Sequence, residues 1–94
     1  MLSFLEKTPF EMLEALKTKF RAKRKALKLT QKQLSIKSDV SLGSIKRFES
    51  SGQISLESLL KLALVLECLG DFEGVCYEVE EMPKSIGEII NENK

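Results

Sequence analysis

Two helix-start signals stand only eleven positions apart, at Thr30 and at Ser41. Thr30-Gln-Lys-Gln33 is a capping box: a Thr hydroxyl and a Gln amide three residues on can satisfy each other's backbone N–H groups. Ser41, just before Leu42-Gly-Ser-Ile45, is a second N-cap. Between them Ser38-Asp39 are poor helix continuers, and Asp39 tolerates the left-handed conformation that a tight turn needs. The spacing therefore predicts two short helices joined by a turn of three or four residues. Neither is long enough to stand alone in water, so other elements must pack on them.

Those elements are legible on both sides. Pro9 suits a first helical turn with Thr8 as its cap, and Met12, Leu13, Leu16, Phe20 and Leu27 fall near one stripe. This first helix reaches Lys28, leaving Leu29 as the link to Thr30. The helix after Ser41 runs to Ser50 and stops at Gly52. Ile45 and Phe48 share a face with Val40, while Lys46 and Arg47 point elsewhere. Ser55 caps a fourth helix, LESLLKLALVLECL, apolar around most of its circumference and therefore central to the core, with Gly70 ending it. Asp71 can cap a short fifth helix, DFEGVCY. Pro83 breaks the chain, and Ser85-Ile-Gly-Glu88 is another capping box before Ile89 and Ile90. Strand-like alternation is confined to VCYEVE. The expected fold is all-α: five helices in a domain over 9–78, the turn motif proper at 30–50, and an acidic C-terminal extension over 79–94.

Composition narrows the function. Ninety-four residues suit one small domain. Cys68 and Cys76 occur without any histidine, so zinc-type ligand sets are missing and no metal or cofactor is expected. In a chain with no secretory signal two buried, reduced thiols are expected, with a single structural disulfide as the alternative. The longest apolar run, from Leu59, contains Lys61 and Glu67 and is about half a membrane span, which predicts a soluble, cytoplasmic protein. Catalysis is not expected. There is no Gly-rich phosphate loop and no carboxylate cluster on a basic scaffold, and Ser58-Leu-Leu-Lys61 is a chance-level match to a Ser-x-x-Lys motif.

The net charge of +1 hides a division. Residues 1–47 hold twelve Lys/Arg and four Asp/Glu (+8), and residues 48–94 hold three and ten (−7). Seven basic residues and no acid lie between Lys17 and Lys28. Such sorting predicts a basic face for a polyanion.

Two short helices around a tight turn make a helix-turn-helix. Leu34, Val40, Ile45 and Phe48 form the wedge that sets the interhelical angle, and Ser35 stands where the helices must approach closely. Gln31, at a helix N-terminus, can hydrogen-bond a phosphate. The outward face of the second helix, from Leu42 and Gly43 to Lys46 and Arg47, is what such a motif inserts into the major groove.

Here the sequence resembles the Cro/C1-type (Xre) helix-turn-helix regulators, whose pattern runs roughly RxxxxLTQxxLAxxxGVSxxTIxxxExG and then LxxLLxLAxAL. This chain has RKALKLTQKQLSIKSDVSLGSIKRFESSG and then LESLLKLALVL. It departs at Ser35 (usually Ala), Asp39 (usually Gly), Ser44 (usually Thr) and by one extra residue before Gly52. The resemblance covers residues 10–70. It implies that Gln31 clamps phosphate, that Leu42, Gly43 and Arg47 face bases, and that Ser41, Ser44 and Lys46 flank them. Direct readout would lean on Arg47 and Lys46, with Leu42 against a thymine methyl. The alternative for Arg47 is an exposed charge paired with Asp39 or Glu49. Lys23, Arg24 and Lys25 are as well explained by solvation as by DNA.

A single module of this kind buries little surface, so a homodimer on a palindromic operator is expected. Its seam would use the exposed apolar residues of helices four and five with Phe72–Tyr77. The tail, with PKSIGEII, resembles the C-terminal extension of HipB-like antitoxins, Xre-type repressors encoded with HipA-type kinase toxins. That likeness implies autoregulation of a toxin–antitoxin operon. A phage-type or generic regulator without a toxin partner, or a protein-interaction module on the same fold, are the alternatives.

Overall fold

A computed structural model describes residues 7–76; the PKSIGEII phrase, its capping box and residues 79–94 lie outside the described residues. Four α-helices and a closing 3-10 helix follow one another: α1 (Pro9–Ala26), α2 (Gln31–Ser38), α3 (Leu42–Ser51), α4 (Leu56–Val65) and the 3-10 helix Leu69–Gly74.

Every α-helix begins at a hydroxyl cap. Thr8 and Thr30 make full capping boxes with Glu11 and Gln33, while Ser41 and Ser55 accept from the N–H groups of Ser44 and Ser58, both at 3.1 Å. Each cap contributes about 1 kcal/mol by satisfying an N–H that has no helical partner.

The helix ends were less legible. The chain leaves α1 at Leu27 and α4 at Leu66, earlier than the expected ends at Lys28 and Leu69. Lys28 (φ 60°) and Glu67 (φ 65°) then adopt the left-handed conformation. Leu29 N–H donates to the Arg24 carbonyl and Cys68 N–H to that of Ala63, while Lys28 and Glu67 donate to Lys25 and Leu64. Both are Schellman ends built without glycine. What holds them is the next residue: Leu29 and Cys68 each pack against the core, outweighing a left-handed cost of order 1 kcal/mol. Gly70 thus lies inside the 3-10 helix rather than ending α4. The expected helix DFEGVCY is replaced by this tighter turn, which begins two residues earlier.

The core joins all four α-helices: Phe20 from α1, Leu34 from α2, Val40 in the turn, Ile45 and Phe48 from α3, and Leu59, Leu62, Ala63 and Leu66 from α4. Phe20 meets Phe48 edge-on at 5.5 Å and also approaches Phe72 of the 3-10 helix at 6.3 Å. The predicted wedge of Leu34, Val40, Ile45 and Phe48 is buried throughout. The α1 stripe is narrower than expected. Phe20 is buried and Leu16 half-buried, whereas Met12, Leu13 and Leu27 remain exposed.

The turn between α2 and α3 fixes the site. Asp39 sits at φ 64°, ψ 25°, the left-handed position where the related pattern has glycine. Ser35 donates to the Val40 carbonyl at 2.6 Å, and Val40 N–H donates to Ser38 Oγ at 3.2 Å. Serine in place of alanine at 35 therefore ties α2 to the turn while staying small enough for close packing.

Candidate nucleic-acid interface

Helix α3 owes its orientation to its buried side. Ile45 and Phe48, three residues apart, are almost wholly buried, which forces Gly43, Lys46 and Arg47 outward. Gly43, Lys46 and Arg47 are exposed, and Leu42 and Ser44 are half-buried at the rim. Ser41 Oγ caps the helix and also donates to Ser44 Oγ at 2.9 Å, so both hydroxyls are engaged in holding the first turn.

Arg47 pairs with neither Asp39 nor Glu49. Its Nη2 donates to Gln53 Oε1 at 2.6 Å. Around them lies a hollow lined by Ser44, Arg47, Gln53, Ile54, Ser55 and Ser58.

Glu49 serves a different purpose. Its side chain is only 7% exposed and receives the Arg24 guanidinium in a two-pronged contact, Nε to Oε2 at 2.8 Å and Nη2 to Oε1 at 3.0 Å. Arg24 Nη1 donates to the Leu29 carbonyl at 2.8 Å. Gln31 Nε2 donates to Glu49 Oε1 at 2.9 Å, and Arg21 stands 4.0 Å from the same oxygen. Desolvation pushes the Glu49 carboxyl up, but hydrogen bonds from Arg24 and Gln31 and the charges of Arg24 and Arg21 outweigh it, leaving the carboxyl below its ordinary 4.5. This network clamps α1, the α1–α2 link, α2 and α3 into one rigid frame.

The frame sorts the basic residues of α1. Arg24 is buried and bound, so it is a strut rather than a DNA contact. Lys25 joins Lys17, Thr18 and Arg21 along a hollow above Glu49. A neighbouring hollow is lined by Arg21, Gln31, Lys46 and Ser50, with the bound Glu49 carboxylate in its wall. Lys17 also donates to the Ser50 carbonyl at 3.0 Å. Lys23 lies on another side, over the apolar groove of Leu16, Phe20, Cys68, Phe72 and Val75. There burial, reinforced by Asp71, pushes the Cys68 thiol up against a smaller lowering by Lys23.

The structure thus unites Gln31 and Lys46 with Arg21, and places Leu42, Gly43 and Arg47 along the outer edge of α3. Sequence reasoning did not single out Arg21 or Gln53. Arg21 was signalled by its four-residue spacing from Lys17 and Lys25. Gln53 lies in a loop and carried no periodic signal.

A basic frame around an outward helix N-terminus suits a phosphate backbone with a groove beside it. Residues 20–71 match the family model described as Helix-turn-helix, more than half of the chain. The chain belongs to that helix-turn-helix family. Neither a curated protein nor a solved structure gave a match. As a helix-turn-helix protein of Cro/C1 type it is a DNA-binding regulator, a family defined by binding rather than catalysis. Among the described residues no cluster of His, Cys, Asp or Glu is grouped to hold a metal ion, and no helix is long and apolar enough to cross a membrane.

Proposed function

We propose that this chain is a sequence-specific transcriptional repressor that reads a palindromic operator as a homodimer. The observation that carries the reading is the outer edge of α3: Gly43, Lys46 and Arg47 are exposed with Leu42 half-buried at the rim, and Arg21, Gln31 and Lys46 line one hollow beside them. Gln31 spends one amide hydrogen on Glu49 and keeps its second for a phosphate oxygen. Arg47 offers a guanine its remaining donors. Ser41 and Ser44 hold the first turn that aims Leu42 at a thymine methyl.

Support for the dimer comes from α4. Leu56 and Leu64 are 67% and 64% exposed, and Leu60 between them is half-buried. Their four-residue spacing puts an apolar stripe on the side of α4 away from the core. We assign the regulated operon to the toxin–antitoxin class on the likeness of residues 83–90 to HipB-like extensions, with a HipA-type kinase as partner and the cytoplasm as the site of action. A generic Xre regulator would share the operator binding and lack that partner.

Arg47→Ala and Gln31→Ala separate the two kinds of contact. Arg47→Ala should weaken operator binding by about 1–3 kcal/mol and relax preference at one base pair per half-site. Gln31→Ala should weaken all duplexes alike. A salt-independent affinity for duplex DNA would instead favour the protein-interaction module, because phosphate contacts release counterions.

A further inference from the structure

We propose that Gln53, which lies beyond the recognition helix, determines base preference by holding the Arg47 guanidinium in its reading position. The inference rests on Arg47 being the base-reading side chain and concerns what makes it selective.

An arginine on a helix surface is long and flexible, and an unrestrained guanidinium samples phosphates as readily as bases. Arg47 is restrained. Its Nη2 is bonded to Gln53 Oε1, and Gln53 is itself gripped by its backbone. Gln53 N–H donates to Ser51 Oγ at 3.1 Å, Gly52 before it turns at φ 83°, and Ile54 after it packs on the core. Gly52 is pressed against α1, since a Cβ there would meet Leu13 Cβ at 3.1 Å and the Leu13 carbonyl oxygen at 3.2 Å. The loop therefore has little freedom to carry Gln53 away.

The extra residue before Gly52 lets α3 run on to Ser51, and the glycine turn then brings Gln53 back beside a residue six positions earlier. Ser50 and Ser51 hydroxyls donate to the Arg47 carbonyl at 3.1 and 2.7 Å, so neither hydroxyl proton competes for Gln53 Oε1. Glutamine also suits the task chemically. Its neutral oxygen takes one of five guanidinium donors and leaves the others for guanine O6 and N7. A carboxylate would orient Arg47 equally well but would repel the phosphate backbone.

The test uses the full chain on its preferred duplex, selected from a randomised pool, and on duplexes changed at the base pair lost in Arg47→Ala. Gln53→Leu should cut discrimination at that base pair by roughly three- to tenfold, part of what a bidentate pair supplies, while leaving affinity for unrelated duplex unchanged. Gln53→Glu should keep the discrimination and lower affinity for every duplex. If Gln53→Leu discriminates as well as the parent while Arg47→Ala does not, Gln53 positions nothing and the proposal falls, though Arg47 still reads a base. Loss of discrimination in both the Leu and Glu variants would overturn the hydrogen-bond basis. No change in Arg47→Ala would remove the underlying reading and this proposal with it.

Discussion

Glu49 holds the site together from beneath, lining both basic hollows while its carboxylate is bound by Arg24 and Gln31. Its removal would leave Arg24 buried without its counter-charge, and breaking such a pair costs about 3–5 kcal/mol. Glu49→Ala should therefore lower the unfolding midpoint sharply in thermal or urea denaturation, while the double exchange Arg24→Met with Glu49→Leu should recover much of the loss. The pH dependence has a definite sign. Because the folded carboxyl titrates below 4.5, its contribution is full above that pH and fades as acid protonates it in the native state. Stability of the parent should fall on acidification below about pH 4.5, and the double variant should lose less over the same range. Gly43 works in the opposite direction. A Cβ there would meet nothing within 4 Å in the free protein, so folding does not require glycine at this exposed position. Gly43→Ala should raise stability by about 0.5 kcal/mol yet weaken operator binding, since α3 could no longer approach the groove as closely. Equal operator affinity would mean that Gly43 does not face DNA. The partners of Glu49 were not readable from sequence, because Arg24 lies 25 residues away and no periodicity links them. Asp39, by contrast, was readable, since its turn is decided by neighbours.

At the scale of elements, helix starts were more legible than helix ends. A cap is a contact between residues three apart, so Thr8, Thr30, Ser41 and Ser55 announced themselves. The ends at Lys28 and Glu67 depend on whether Leu29 and Cys68 find a core to enter, which is a tertiary fact. The same dependence made α1 look more apolar than it proved to be, because its stripe runs beyond the body it packs on. Helix α4 keeps an apolar side that the described fold does not cover. If Leu56, Leu60 and Leu64 form the seam between subunits, Leu64→Glu should shift the protein toward monomer in sedimentation while the circular dichroism of its helices persists. A dimer of undiminished stability would move the seam elsewhere. Deleting residues 83–94 tests the extension in the same way. Contact of α3 with DNA should survive, and co-purification with a HipA-type partner or dimer stability should decline. If neither changes, the extension takes no part in assembly.

For the whole molecule, the division of charge between the two halves of the chain acquires a spatial meaning only in part. Arg24 neutralises Glu49 inside the fold, Lys23 borders the apolar groove, and Lys17, Arg21, Lys25 and Lys46 remain around the two hollows beside α3. A count of basic residues in the sequence therefore overstates how many of them stand on this face. If this face, with α3 in the major groove, reads a defined sequence, selection from a randomised duplex pool by the purified full chain, run in parallel with Arg47→Ala, will reveal it. The parent should enrich a symmetric site with half-site centres about one helical turn apart, and the variant should lose preference at one base pair per half-site. No enrichment by the parent, or the same enriched site from both proteins, would contradict that reading.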